Sequence, residues 1–242
     1  MRYISLRNIN VFYDQKQVLE SVNLDINRTD FIGVIGPNGG GKTTLMKTIL
    51  KQVPFSGEVH YHIPNLRIGY MPQLQDVDKS FPISVKDVVV SGLQSEKGVW
   101  GRYGKDEYKR VETLLEMAGI NNLSNRAIGE LSGGEFQRAI LCRAVISNPH
   151  VLILDEPTNF VDNRFEKELY ELLKTLNEQM AIVMVSHDLG TITSYIKTIV
   201  CVNRIVHHHH SNKITPMQLD QYDCPIQLIY HGDIPHTVLE HH

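Results

Sequence analysis

A short apolar stretch that leads directly into a cluster of glycines is the feature that most restricts the fold of this chain. Phe31–Ile35 is apolar throughout, which is typical of a strand buried on both faces. A helix is predicted from Lys42 to about Gln52, where Pro54 would stop it. The residues between match the pattern G-x-x-x-x-G-K-[ST], and they are Gly36, Pro37, Asn38, Gly39, Gly40, Gly41, Lys42 and Thr43. A strand, a glycine turn and a helix in this order favour an α/β fold that binds phosphate.

This phosphate loop, residues 36–43, has a specific chemistry. Its glycines let backbone N–H groups turn inward around phosphate oxygens, and the helix N-terminus that follows favours negative charge. Lys42 would place a point charge on the β- and γ-phosphates, and the Thr43 hydroxyl can ligate Mg²⁺. The alternative is a flexible glycine-rich turn. The buried strand before the motif and the helix after it favour phosphate binding.

A second element is an apolar strand that ends in two acids. Val151–Leu154 is followed by Asp155 and Glu156. The carboxyl ends of parallel strands are where ligands bind in α/β proteins. Asp155 would hold Mg²⁺, directly or through water, and Glu156 would polarise the water that attacks the γ-phosphate. Alone, these acids could equally be a solvated strand end.

A third element is the pentapeptide Leu131–Glu135, here called the signature turn, which contains Ser132, Gly133 and Gly134. A Ser-Gly-Gly step before a helix exposes backbone amides that can bind an anion. The same residues also predict a helix cap, with Ser132 as the N-cap and Glu135 three residues later. The two interpretations are compatible, because a capped helix start can still bind phosphate.

The remaining pattern separates strands from helices. Helical periodicity replaces strand patterns from Ser84 to Ile146, which predicts an inserted helical segment. Its interruption at Gly98–Gly104, with Trp100, is interpreted as a loop, and another helix is predicted near Arg164–Asn177. Strands are predicted at Tyr3–Arg7, Val22–Ile26, Phe31–Ile35, Gly57–His62, Leu66–Met71, Val151–Leu154 and Ala181–Val185.

Composition excludes several classes of protein. The 242 residues carry a net charge of −3, from 24 basic and 27 acidic residues, so no global charge attracts nucleic acid. No apolar run approaches the roughly 20 residues that a membrane helix needs. The first residues lack the apolar core of a signal peptide, so we expect a cytoplasmic protein. Cys142, Cys201 and Cys224 form no close pair and are expected to be thiols, with Cys142 in the core.

With these motifs in this order, the sequence resembles the nucleotide-binding subunits of ATP-binding-cassette (ABC) transporters from about Tyr3 to Arg204. The pentapeptide is the part most specific to that family. Besides the three motifs, the resemblance rests on Tyr13, Gln73, Asn159, Asp162 and His187.

The resemblance implies a fold and a domain organisation. The fold is an α/β phosphate-loop NTPase core, a mainly parallel sheet with helices on both faces, with an N-terminal antiparallel β subdomain and an inserted α-helical subdomain. Residues 1–83 and 149–205 would form the core and the β subdomain, and residues 84–148 the helical subdomain. Residues 206–238 would form a histidine-rich tail, and 239–242 are interpreted as an expression-tag remnant.

The resemblance also implies a mechanism in which two copies close head to tail around ATP and Mg²⁺. Lys42, Gln73, Glu156 and His187 would be catalytic, and Asn159 and Asp162 would contact the other copy. Thr43, Gln73 and Asp155 would hold Mg²⁺. Gln73 would also link the γ-phosphate to the helical subdomain, which docks the membrane permease. Nucleotide-binding residues would be Tyr13, Gly36, Pro37, Asn38, Gly39, Gly40, Gly41, Lys42, Thr43, Thr44, Ser132, Gly133, Gly134 and Glu135.

The sequence departs mildly from the family pattern. Glu135 stands where glutamine is common, and Gly40 stands where alanine is frequent. Phe160 is bulky for a contact between subunits. Neither Glu135 nor Gly40 is expected to abolish hydrolysis, whereas Phe160 bears on the coupling across the dimer.

Weaker sequence similarities, in segments outside the main motifs, suggest the cargo. Arg126–Glu130, Ser84–Val89 and Val161–Asp162 resemble the branch that imports zinc, manganese or iron. That implies an extracytoplasmic metal-binding protein as an indirect partner, and a position on the inner face of the cell membrane. His207–His210, with His231, His236 and two tail cysteines, could bind Zn²⁺. The alternative for this histidine run is a solvated polar loop.

Two other functions fit the same motifs. The chain could serve an ABC importer of another small substrate, or it could be a soluble cassette ATPase such as those of iron–sulfur cluster assembly. Translation factors of the family usually carry two cassettes, and this chain has one. Chromosome-maintenance cassettes insert a long coiled coil, whereas about 90 residues without heptads separate Lys42 from Leu131.

Overall fold

The computed structural model describes residues 1–97, 102–157, 163–186, 192–209, 226–231 and 234–239. Contacts divide the chain into two compact units. The first unit is Met1–Leu66 with Tyr170–His242, and the second unit is Arg67–Leu169.

The strands are β1 (Arg2–Tyr13), β2 (Lys16–Asn27), β3 (Phe31–Ile35), β4 (Ser56–Tyr61), β5 (Ile68–Met71), β6 (Val151–Asp155), β7 (Ala181–Val185), β8 (Thr198–Asn203), β9 (Ile205–His209), β10 (Ile226–His231) and β11 (Ile234–Leu239). The helices are α1 (Lys42–Ile49), α2 (Val85–Ser91), α3 (Gln94–Lys97), α4 (Lys105–Met117), α5 (Gly133–Val145) and α6 (Asn163–Asn177). Short 3₁₀ helices lie at Leu74–Asp76, Asn121–Leu123 and Ile128–Glu130.

An antiparallel sheet of three strands, in the order β2-β1-β4, lies in the first unit. Ile4 pairs with Ile26 and Leu6 with Leu24, and all four side chains are buried. Most of β2 alternates between buried and more exposed residues, as a sheet with one buried face requires, whereas residues 3–6 of β1 are all buried. Both strands predicted near the N-terminus are confirmed, and both are longer than the sequence pattern indicated.

A second group of strands in the first unit surrounds β3. This strand is parallel to β7 and to β8, and β9 runs antiparallel to β8. Every residue of β3 is buried, which confirms the prediction of a strand buried on both faces, and every residue of β7 is buried as well. The phosphate loop therefore begins at the carboxyl end of a buried strand that has a parallel neighbour on each side.

Helix α1 is shorter than predicted. It ends at Ile49, because Lys51 adopts a left-handed conformation with φ 56° and its N–H donates to the Thr48 carbonyl. The N–H of Gln52 returns to the Lys47 carbonyl, which closes the helix end. The helix therefore ends three residues before the predicted end at about Gln52, and the prediction that Pro54 stops it was wrong.

The second unit is mainly helical, as the periodicity from Ser84 to Ile146 predicted. Helices α2 and α4 pack against α5, and β5 pairs in parallel with β6. Helix α5 also approaches β5 closely, because a Cβ at Gly69 would lie 2.1 Å from the Ala144 carbonyl oxygen. Most of the predicted loop, including Trp100, falls on residues 98–101, outside the described ranges.

The C-terminal region contains strands that the sequence pattern did not reveal. Strand β8 extends the sheet of β3, β9 turns back along it, and β10 pairs antiparallel with β11. Three of the four consecutive histidines, His207–His209, lie in β9, and His209 is buried. The interpretation of these three residues as a solvated loop was therefore wrong. Strand β11 ends on Leu239, the first of the residues interpreted as a tag.

Within the described ranges, no helix is both long enough and apolar enough to cross a membrane.

Candidate nucleotide-binding site

The phosphate loop adopts backbone conformations that only glycine accepts easily. Gly36 has φ 146°, Gly39 has φ 75° and Gly41 has φ 103°. A Cβ added at Gly36 would lie 2.0 Å from the Val202 carbonyl oxygen, whereas a Cβ at Gly39 would meet nothing within 4 Å. The glycines therefore serve two purposes: they permit positive φ, and at Gly36 they also allow a close approach of a second backbone segment.

The turn between β8 and β9 clamps the outer side of the loop. The Arg204 N–H donates to the Gly40 carbonyl at 2.9 Å, and the Arg204 carbonyl accepts from the N–H of Glu20 at 2.9 Å. The two side chains also form an ion pair at 2.9 Å. Sequence reasoning did not find this clamp, because nothing in the residues 202–204 signals contact with a loop some 160 positions earlier.

Gly40, where the family often has alanine, is tightly enclosed in this chain. A Cβ at this position would lie 2.8 Å from the Val202 carbonyl oxygen and 3.1 Å from the Pro37 ring. Its φ lies outside the left-handed range, so an alanine would require the β8–β9 turn to shift without straining the backbone of Gly40 itself.

Lys42 projects into the centre of the loop. Only 6% of the residue is exposed, and its Nζ donates to the carbonyl oxygens of Gly36 and Pro37, both at 2.9 Å. The ammonium group is held by two carbonyls of the loop. A negatively charged phosphate oxygen bound in the loop would form a charge-assisted hydrogen bond with it. The loop fits a phosphate group, because it combines a buried cation with a helix N-terminus.

Thr43 and Thr44 form the first turn of α1. Thr43 is partly exposed and Thr44 is buried, with its carbonyl accepting the Thr48 hydroxyl at 2.8 Å. Tyr13 lies at the end of β1, opposite Lys16 in the hairpin, and is 45% exposed. The aromatic ring predicted to stack on a base is therefore accessible.

In the second unit, β6 carries its two acids at its carboxyl end, as predicted. Asp155 is fully buried. Glu156 follows it with φ 54°, a left-handed conformation that costs a residue with a Cβ about 1–3 kcal/mol. The rest of the unit must hold this conformation in place, and strained residues of this kind cluster at functional sites.

The signature turn is a complete capping box. The N–H of Glu135 donates to Ser132 Oγ at 3.4 Å, and Glu135 Oε2 accepts from the Ser132 N–H at 2.9 Å and from Ser132 Oγ at 2.8 Å. The backbone and side-chain hydrogen bonds from Ser132 lower the pKa of the Glu135 carboxyl. The predicted cap is confirmed, and it leaves Gly133 and Gly134 in the first helical turn, where N–H groups lack helical partners.

Gln73 follows β5 and directly precedes the 3₁₀ helix at Leu74–Asp76. It has an extended backbone (φ −55°, ψ 133°) and a partly buried side chain. Three predicted site residues, His187, Asn159 and Asp162, lie outside the described residues, as does Phe160.

The predicted residues are thus distributed over both compact units. The first unit holds Tyr13 and the loop with Lys42 and Thr43, and the second holds Gln73, the signature turn, Asp155 and Glu156. Within each unit, the residues stand at turns that follow strands or begin helices.

Cysteines and histidines are the remaining candidates for a metal centre. No group of three histidine, cysteine, aspartate or glutamate residues among the described side chains is arranged to hold a metal ion. Burial lowers the pKa values of His207 and His209. Cys142 lies in the core as predicted: its Sγ faces the Leu114 carbonyl at 3.6 Å, and burial raises the pKa of its thiol to about 12.

Comparison with known proteins agrees with the geometry. The family model described as "ABC transporter" matches residues 19–159. A probable metal transport system ATP-binding protein of Thermotoga maritima is 36% identical over 98% of both chains. A zinc import ATP-binding protein of Haemophilus influenzae is 42% identical over 83% of this chain and 72% of its own length.

Solved structures show the same fold. A metal-chelate type ABC transporter in an inward-facing conformation superimposes with a TM-score of 0.84 at 23% identity, covering 100% of this chain and 98% of that one. An ATP-binding cassette bound to ADP and Pi as a dimer superimposes with a TM-score of 0.76 at 24% identity, covering 88% of this chain and all of that one.

Proposed function

Because the chain belongs to the ABC transporter family as one of its ATP-hydrolysing cassettes, we propose that it powers the import of zinc or a related divalent metal ion. The observation that carries the nucleotide part is the glycine cradle around Lys42, whose Nζ is held by two loop carbonyls. The cargo is supported by the relatives, which are named for zinc import or metal transport.

The reaction assigns distinct roles to the residues. Glu156 accepts a proton from the water that attacks the γ-phosphorus, the bond to the β–γ bridging oxygen breaks, and ADP and phosphate leave. Lys42 and the loop N–H groups stabilise the charge on the phosphate oxygens. His187 contacts the γ-phosphate. Tyr13 stacks on the adenine, which contributes about 1–3 kcal/mol to binding.

Mg²⁺ fits the oxygen donors present, since Asp155 offers a buried carboxylate and Thr43 a hydroxyl in the first turn of α1. Thr43, Gln73 and Asp155 would hold the ion, which when bound neutralises charge on the phosphate oxygens.

Two copies of the chain close head to tail in this proposal. The signature turn of one copy binds the γ-phosphate held by the phosphate loop of the other, with Asn159 and Asp162 at the contact. The N-terminal turn of α5 suits this role, because Gly133 and Gly134 are only partly buried at the start of a helix that is already capped. The partners are membrane permease subunits at the inner face of the membrane, served by an extracytoplasmic metal-binding protein.

Replacing the base tests the catalytic assignment. We expect Glu156→Gln to lower kcat by about 10²-fold or more, because general-base catalysis contributes that much. The variant should keep its affinity for ATP and form a stable dimer with ATP in gel filtration. Glu112→Gln is the matched control, since it makes the same change at an exposed position of α4, and it should retain turnover. Undiminished hydrolysis by Glu156→Gln would contradict the assignment.

The cargo is tested in cells that lack the chromosomal copy of this gene. Uptake of radioactive zinc should return with the wild-type gene and fail to return with Glu156→Gln. Competition by unlabelled manganese or iron then ranks the metals. Equal zinc uptake with and without the wild-type gene would exclude zinc as the cargo while leaving the ATPase assignment intact.

A further inference from the structure

One buried polar side chain of the signature helix lacks a hydrogen-bond partner. Gln137 lies on α5, two residues after Glu135, and is 1% exposed. Neither its Nε2 nor its Oε1 meets a hydrogen-bond partner. A buried amide in this condition destabilises the fold, and a methionine of similar size would avoid the cost.

The packing of α5 on β5 brings Gln137 and Gln73 to a similar level along the second unit. The close contact between Gly69 and the Ala144 carbonyl fixes one point of that packing. Helix α5 leads through a short turn into β6, which is parallel to β5, so the helix runs antiparallel to β5. Gln137 lies two helical turns before Ala144, on the same face and about 10 Å along the axis.

Gln73 lies four residues beyond Gly69, about 13 Å in the same direction. The two glutamines are therefore at nearly the same level along the unit, to within about 3 Å. They belong to elements that pack directly on each other.

Contacts of Lys79, which follows Gln73 along the chain, support this placement independently. Lys79 Nζ lies 4.2 Å from the centre of the Phe136 ring, the residue next to Gln137. A Cβ at Gly129 would lie 2.7 Å from the Lys79 carbonyl oxygen. The chain that leaves Gln73 thus passes over the start of α5 and the turn before it.

We propose that Gln137 is a positioning residue for Gln73: its buried amide forms hydrogen bonds with the main chain of residues 72–74 when that segment moves to meet the bound nucleotide. The amide can donate and accept at once, as a strand-like backbone requires. It thereby links the signature helix to the Gln73 segment. This proposal rests on the proposed function of Gln73 and adds a residue that the motifs do not include.

The test compares Gln137→Met with wild type and with Cys142→Ala, a second substitution of a buried residue on α5. We expect Gln137→Met to keep or raise the melting temperature without nucleotide, to lower kcat about tenfold, and to leave KM for ATP within about threefold. Cys142→Ala should lower the melting temperature and leave kcat within about twofold, because it only opens a small cavity.

Hydrogen exchange supplies a readout that does not depend on turnover. In a Glu156→Gln background, ATP should slow exchange at the amides of Gln73–Val77, and the additional change Gln137→Met should remove that slowing. Gln137→Leu provides the same test if the methionine variant fails to fold.

A kcat within twofold of wild type, or ATP-dependent slowing that survives in the variant, would overturn the proposal. Loss of kcat in proportion to loss of melting temperature, as for a purely structural residue, would also overturn it. Gln73→Ala distinguishes a failure of the role proposed for Gln73 from a failure of the role proposed for Gln137. If Gln73→Ala lowers kcat and Gln137→Met does not, only the role of Gln137 fails. If Gln73→Ala keeps the kcat of wild type, the proposed function of Gln73 fails, and the proposal for Gln137 fails with it.

Discussion

The phosphate loop and the signature turn both end at a helix N-terminus, yet different contacts hold them. The loop is clamped by backbone from distant positions: the Val202 carbonyl lies against Gly36, and the Arg204 N–H donates to Gly40. The signature turn is held by Ser132 and Glu135, three residues apart. One motif depends on the tertiary structure for its shape, and the other carries its shape in its own sequence.

The largest effect is expected from two glycines of the phosphate loop that both have positive φ but differ in their surroundings. Gly36→Ala should lower the free energy of unfolding by about 3 kcal/mol or more, because positive φ and a collision with the Val202 carbonyl add together. Gly39→Ala should cost about 1 kcal/mol, since only the strain of φ 75° remains. Urea denaturation measures both.

The second variant is the control for the first. Equal losses in Gly36→Ala and Gly39→Ala would mean that backbone strain alone governs the loop. In that case the clamp from the β8–β9 turn would contribute little, and the contrast between the two motifs would disappear.

A smaller effect is expected at the signature turn. Ser132→Ala removes the N-cap of α5 and should lower the free energy of unfolding by about 1 kcal/mol. Ser80→Ala, which removes a hydroxyl bonded to Asp78 in an exposed turn, is the control and should cost less than about 0.5 kcal/mol. A loss above about 3 kcal/mol at Ser132, again in urea, would show that distant contacts also hold the signature turn.

The smallest effect concerns the carboxylate of the capping box and its pH dependence. Hydrogen bonds from Ser132 lower the pKa of Glu135 in the folded state, so its contribution is present above the ordinary pKa of about 4.5. The contribution is lost as the pH falls through the lowered value. Because the group is exposed, wild type should exceed Glu135→Gln by only about 0.5 kcal/mol at pH 7.

Denaturation of both proteins between pH 7 and low pH measures this difference. The two stability curves should converge as the pH falls. Curves that stay parallel across the range would show that the Glu135 charge does not stabilise the cap.

Local patterns predicted much of the fold because their signals lie within a few residues. Apolar runs identified β3 and β7 to the residue, and helical periodicity identified the segment that became α2, α4 and α5. The capping box followed from a spacing of three. Each of these depends on burial pattern or on hydrogen bonds between near neighbours.

The failures have non-local causes. Helix α1 stopped at a left-handed Lys51 rather than at the proline, and no residue type there announces that conformation. Strand β9 contains three histidines, which favour a strand only because β8 supplies a partner edge and part of the run is buried. Glu156 shows the same limit, since its positive φ is imposed by its surroundings.

By itself, the sequence identified the candidate residues for phosphate and acid–base chemistry, because glycines, Lys42, the signature turn and the two acids are chemically distinctive at fixed spacing. Only the tertiary structure decided how the loop is clamped and where Gln137 lies. Both depend on contacts between segments that are far apart in the sequence. The packing of whole helices and strands sets these contacts, and no local run of residues does.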